Sequence, residues 1–238
     1  MTQSPLSLIQ HGTSKLPPRI MMYGLPGIGK STFAANFPTP IFVQTEDGLR
    51  QVDCAKFPLA QNLGQVFEYL SALVREKNGF QTIVIDSLDW LEQLIWAAVC
   101  ENEEVESIER IGYGKGYVFA LGYWKQIVKI LDQLNLQGKI ILLLAHAVAE
   151  DYSDPEVSSL KRFTPRLYKT ARSLLIEYAD IVFLGTRKFG AARGDQDNPR
   201  VVRTETSPIS VGKKRYNIPD ELPLDARVVL DAIKQSQI

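Results

Sequence analysis

The stretch "GLPGIGKS", Gly24 to Ser31, constrains this chain more than any other. It follows the apolar run "RIMMY" and leads into "GKSTFAANF", which stops before Pro38. Gly-x-x-x-x-Gly-Lys-Ser between a strand and a helix is the pattern of a phosphate-binding loop. Glycines let backbone N–H groups converge on an anion, and the helix start adds positive potential. Such a loop needs a buried strand before it and a helix after it, which commits the chain to an α/β architecture. Gly24, Leu25, Pro26, Gly27, Ile28, Gly29, Lys30, Ser31 and Thr32 are the expected nucleotide-binding residues. Lys30 is expected to reach the β- and γ-phosphates and the Ser31 hydroxyl to bind Mg²⁺, so ATP and Mg²⁺ are the expected cofactors.

The rest of the chain fits that commitment. "PIFVQTE", "TIVIDS" and "KIILLLAH" are continuous apolar runs of strand length, separated by helix-like segments. "NLGQVFEYLSALVREKNG" has helical spacing at Val66, Leu70 and Leu73, with Gly79 as the expected C-cap. "LDWLEQLIWAAVC" and "YVFALGYWKQIVKILDQLN" read as helices, the second stopping near Gly138. Strands apolar on both faces predict a mostly parallel sheet flanked by helices. Beyond residue 172, "YADIVFLGTRKF" and "RVVRTETS" predict a β-hairpin across the turn "GAARGDQDNP", and "LDARVVLDAIKQ" a closing helix. Residues 1–18 are polar and end in Pro17-Pro18, so they read as an arm outside a domain of residues 19–238.

Two further acids gain meaning from the loop. A strand ending in Asp86 places that carboxylate beside the phosphates, where it can hold Mg²⁺ together with Ser31. Glu46 ends the strand after the phosphate-loop helix, at the edge where open α/β sheets bind ligands. A carboxylate there can orient and deprotonate an attacking water, so Glu46 and Lys30 are the first candidate catalytic residues. Asp47 reads as a turn residue. Asp89 reads as a first-turn acid favoured by the helix dipole.

Composition removes several classes. Lys plus Arg equals Asp plus Glu at 27 each, so no global charge argues for nucleic acid and any contact must be local. Cys54 and Cys100 are far apart and suggest neither a zinc site nor a disulfide framework. The N-terminal stretch lacks the layout of a signal peptide, and no apolar run reaches the length of a membrane span. A cytoplasmic setting is the expectation.

Phe42-x-x-x-Glu46-x-x-Leu49 resembles the strand-two phrase of RecA-like ATPases, whose glutamate activates water. "TIVIDS" resembles their magnesium strand. "KIILLLAHAV" resembles the next strand, whose polar end senses the γ-phosphate; by position that residue is His146. The resemblance covers about residues 19–186. More closely, "YGLPGIGKSTFAANFPTPIFVQTEDGL" resembles phage-encoded nucleotide-binding proteins of that superfamily, the Sak type, some of which anneal single strands. It implies a DNA-binding ATPase that works as a homo-oligomer, ring or filament, in a bacterial host cytoplasm, with a single-strand-binding protein as a further candidate partner.

The resemblance also implies two DNA loops. The first covers residues 101–118, acidic at "ENEEVESIER" and then glycine-rich with Tyr113, Lys115 and Tyr117. The second covers roughly residues 149–172. No acid occurs from Val157 to Ile176, and Lys161, Arg162, Arg166, Lys169 and Arg172 are interleaved with Phe163 and Tyr168. Cations mixed with aromatics suit a single-stranded groove. By the same resemblance Lys213, Lys214 and Arg215 are candidates for a contact to a neighbouring subunit's γ-phosphate, and Leu6, Leu8 and Ile9 could pack the arm on that neighbour. Three rivals exist. A nucleotide switch or accessory factor would act through a protein partner with little hydrolysis. A small-molecule kinase would need an arginine-rich lid, which is not evident. AAA+ ATPases are set aside because they carry a separate helical lid after the core.

Overall fold

A computed structural model of the chain describes residues 16–154, 157–188 and 199–236, together with positions 6, 9 and 12. Among the described residues, ten strands share one sheet. In chain order they are β1 (Arg19–Gly24), β2 (Pro40–Gln44), β3 (Ala55–Lys56), β4 (Thr82–Asp86), β5 (Ile140–Asp154), β6 (Val157–Pro165), β7 (Ile181–Arg187), β8 (Arg200–Arg203), β9 (Lys213–Lys214) and β10 (Glu221–Pro223). The helices are α1 (Lys30–Ala35), α2 (Leu63–Arg75), α3 (Leu88–Asn102), α4 (Lys115–Leu136), α5 (Lys169–Tyr178) and α6 (Ala226–Gln235).

The central order is β10-β8-β7-β1-β5-β4-β2-β3, and every pairing from β7 to β3 is parallel. Successive strand residues face opposite sides, and each side has its own core. Met21, Tyr23, Ile83, Ile85, Ile141 and Leu143 pack with α2 to α5. Ile20, Met22, Val84, Leu142 and Leu144 pack with α1 and α6. Two covered faces explain why the strands are apolar throughout rather than alternating.

Register decides where chemistry can occur. Gly24 lies level with His146 on one side and Gly185 on the other, while Asp86 lies level with Gln44 and Leu144. The phosphate loop, the residue after β2, the end of β4 and His146 therefore emerge at one edge of the sheet.

The expected hairpin after residue 172 is present: β7 and β8 are antiparallel, with Leu184 opposite Arg203 and Arg187 opposite Arg200. Most of its turn "GAARGDQDNP" lies outside the described residues. So does Leu8 of the arm; Leu6 and Ile9 are exposed. Two expectations about elements need correction. Helix α2 ends at Arg75 because Glu76 turns extended, so Gly79 is not its C-cap. The strand read as ending near His146 runs on to Asp154 and pairs antiparallel with β6, so most of the second expected DNA loop is a β-hairpin.

Gly24 shows how tight the key edge is. A Cβ built there would lie 2.8 Å from the Gly185 carbonyl oxygen and 2.9 Å from Ile28 Cγ2. The first neighbour is backbone and cannot step aside. Gly24→Ala should cost about 1–3 kcal/mol by overpacking, read as a lower urea midpoint at unchanged slope.

Candidate active site

Gly27 and Gly29 adopt φ of 77° and 105°, a region that favours glycine, and between them the loop turns into α1. Lys30 is buried and its Nζ donates to the Gly24 carbonyl at 3.3 Å, so its ammonium folds back over the loop. Burial pushes that ammonium below its ordinary pKa, and Asp86, Glu46 and Asp89 pull it back up. The Ser31 hydroxyl donates to Asp86 Oδ2 at 2.7 Å. Burial pushes the Asp86 carboxyl above its ordinary value, against that hydrogen bond. A hydroxyl and a carboxylate side by side under a glycine cradle are a fitting donor pair for Mg²⁺, which takes few protein ligands and completes its shell with phosphate and water. ATP and Mg²⁺ therefore fit the residues present.

Glu46 is positioned by the sheet. The Thr45 N–H donates to the Asp86 carbonyl at 2.8 Å and the Thr45 hydroxyl to the Ser87 carbonyl at 2.7 Å, which ties the end of β2 to the end of β4. The next side chain, Glu46, accepts from Ser87 Oγ at 3.1 Å and lies 3.9 Å from His146 Nδ1. Asp47 pairs with Arg50 on the surface, as a turn residue would.

His146 is held by Asp89. The Asp89 carboxylate accepts from the His146 backbone N–H at 3.0 Å and faces His146 Nδ1 at 3.0 Å. It also accepts a short hydrogen bond from Arg166 Nη2. Burial alone would raise the Asp89 carboxyl, but His146 and Arg166 hold it well below the usual carboxylate range. An ionised carboxylate only accepts, so Nδ1 carries a proton and the ring orientation is fixed. Asp89 does sit in the first turn of α3, as expected, and also anchors two residues far away in the chain. Nothing local in "DSLDW" announces that role.

Arg200 is a second residue that sequence reasoning missed. Its Nη1 donates to the Ile28 carbonyl at 3.3 Å, from a strand far along the chain. Beside it, Gly29, Thr32, Asn36, Leu224 and Asp225 line a cavity of about 200 Å³ next to the start of α1.

The expected DNA residues are divided by the fold. Tyr113, Lys115, Lys161 and Lys169 are exposed. Arg162 stacks over Tyr152 at 4.5 Å, Arg166 is bound to Asp89, and Arg172 Nη1 donates to Glu150 at 2.8 Å. Tyr117 and Tyr168 stack on each other at 3.8 Å, which joins the two expected loops. Lys213, Lys214 and Arg215 lie at the other end of the sheet from the phosphate loop, since Lys214 pairs with Ile181 at the start of β7. Lys213 Nζ donates to the Ile176, Glu177 and Ala179 carbonyls at the end of α5, Lys214 pairs with Asp220, and Arg215 with Asp180. All three hold their own chain together.

Glu92 lies one turn along α3 from Asp89. Its carboxyl accepts from the Tyr168 backbone N–H at 2.9 Å, and burial raises its pKa to about 7. The folded state thus binds a proton more tightly than the unfolded chain, so this contribution to stability is fully present below 4.5 and is lost as pH rises through about 7. The melting temperature should fall across that window, and Glu92→Gln should flatten the fall in a calorimetric pH series.

A protein-family profile described as an AAA domain matches residues 16–216. The chain is also similar to the SPbeta prophage-derived uncharacterized protein YorG of Bacillus subtilis (strain 168), at 22% identity over 191 residues, 78% of this chain and 54% of the relative. The chain thus spans about half the length of the curated relative it matches. AAA+ ATPases are set aside above for their separate helical lid, and among the described residues β8 to β10 and α6 follow β7 with no such lid. With the match covering most of its length, this chain belongs to the AAA domain family of P-loop ATPases.

Proposed function

We propose that the chain is a Mg²⁺-dependent ATPase of phage recombination that binds single-stranded DNA and promotes annealing or strand pairing as a homo-oligomer. The observation that carries this reading is the path of β5. It brings His146 to the phosphate edge and continues into a hairpin whose return strand carries Lys161 and Arg162 and brings Arg166 back to the anchor of that same histidine. The prophage origin of the similar relative agrees with a phage source.

Each residue has a task on this reading. Lys30 and the loop N–H groups bind the phosphates, and Ser31 with Asp86 holds the metal, which supplies charge neutralisation when bound. The cavity beside Thr32 and Arg200 takes the ribose and base. Glu46 accepts the proton of the attacking water, with the Ser87 hydroxyl orienting its carboxylate. His146, held by Asp89, senses the γ-phosphate. Exposed Lys115, Lys161 and Lys169 contact the DNA backbone, and the Tyr117–Tyr168 stack keeps the two contact regions together. The N-terminal arm packs on a neighbouring subunit, and a single-strand-binding protein is a further partner.

ATP turnover with and without single-stranded DNA tests this assignment. Glu46→Gln should retain nucleotide binding and lose about 10²–10⁴-fold in turnover. Lys30→Ala should lose nucleotide affinity. Turnover in Glu46→Gln equal to wild type removes the base assignment. Binding of labelled strands should weaken steeply with salt, and a wild-type protein that shifts no strand at low salt removes the DNA reading.

A further inference from the structure

A cavity of about 550 Å³ opens between the first half of α3, the outer part of β5 and the link from β6 to α5. Its size falls within the roughly 300–1,000 Å³ of small-molecule sites. Trp90, Trp96 and Tyr168 supply aromatic walls, and Glu92, Gln93 and Glu150 supply polar groups. Trp90 is 46% exposed, a large apolar surface to leave in water. Tyr168 is stiffened from behind by Tyr117, which in turn meets Trp96 edge-on at 5.7 Å. The charges around the cavity are largely matched: Asp89 by Arg166 and His146, Glu150 by Arg172. Glu92 is 3% exposed and hydrogen-bonded to the Tyr168 N–H. Carboxylates repel phosphate, yet planar aromatic walls with hydrogen-bond acceptors suit the face and edge of a heterocycle.

We propose that this cavity takes one unstacked base of a bound single strand, stacked against Trp90 and Tyr168 and read along its edge by Gln93 and Glu150. The inference rests on the DNA-binding reading above. The backbone need not enter. Lys169 follows Tyr168 in the chain and Lys115 lies two residues from Tyr117, so exposed cations for the flanking phosphates are next to the aromatic wall. A carboxylate acceptor such as Glu150 pairs with an exocyclic amino group, so the site selects cytosine or adenine over thymine.

Tryptophan fluorescence of the full chain, with Mg²⁺ and a non-hydrolysable ATP analogue, reads this directly. Oligo-dC, oligo-dT and an abasic strand of equal length are titrated against wild type, Trp90→Ala and Trp90→Phe. Oligo-dC should quench the fluorescence and bind about tenfold more tightly than the abasic strand. Trp90→Ala should abolish that advantage and leave abasic binding unchanged, and Trp90→Phe should restore most of it. Salt-sensitive binding that is equal for intact and abasic strands and indifferent to Trp90→Ala overturns the cavity assignment and leaves the DNA reading standing. If no strand binds wild type at low salt, both fall together.

Discussion

The Asp89 carboxylate is the contact on which the site depends. A buried carboxylate is costly unless its oxygens are satisfied, and this one takes its donors from distant parts of the chain: His146 at the end of the core segment of β5, and Arg166 after β6. Breaking a buried pair by removing one partner typically costs about 3–5 kcal/mol, because the other is left uncompensated. Asp89 therefore holds the start of α3, the sheet edge and the base of the hairpin in one arrangement. Glu46, 3.9 Å from the same imidazole, inherits its surroundings from that arrangement.

The sheet register supplies the rest. Gly24, His146 and Gly185 lie level, and Gln44, Asp86 and Leu144 form a second level. No loop has to reach far, because each polar residue of the site sits within a few positions of a strand end. Thr45 illustrates the economy: one backbone and one side-chain hydrogen bond to the end of β4 fix where Glu46 points. A one-residue slip would turn these side chains to the opposite face and bury apolar neighbours in their place.

This layering explains what was legible in the sequence. The phosphate loop, Asp86 and Glu46 are each local signals: a turn with fixed spacing, or an acid directly after an apolar strand. Their flanking runs are long and apolar because both sheet faces are covered, so strands and helices stand out. Asp89, Arg166 and Arg200 act through partners far off in the chain, and no spacing reveals such a pairing. The β5–β6 hairpin was hidden for a different reason. Its outer half carries Glu150, Asp151, Lys161 and Arg162 on exposed or half-buried strands, and polar strands without a covered face resemble a solvated loop. The tyrosines at 117 and 168 were legible as aromatics near cations, but a sequence cannot say that they would stack on each other.

The continuity of β5 gives the proposed DNA-dependent ATPase a physical route for coupling. Leu144 is locked in the core, His146 stands at the phosphate edge, Val148 and Glu150 line the aromatic cavity, and Tyr152 carries Arg162. The return strand closes on the same point, since the Arg166 N–H donates to the His146 carbonyl at 2.8 Å. A strand fixed at one end and paired along its free part moves as a lever rather than as a loose loop. On that reading, a ligand that shifts the hairpin acts on both partners of Asp89 at once, and a change in His146 on nucleotide turnover reaches the hairpin by the same bonds. Coupling of this kind is reciprocal by thermodynamic necessity. On the proposed reading, contacts through which DNA would alter the hydrolytic edge would also let bound ATP alter the affinity for DNA.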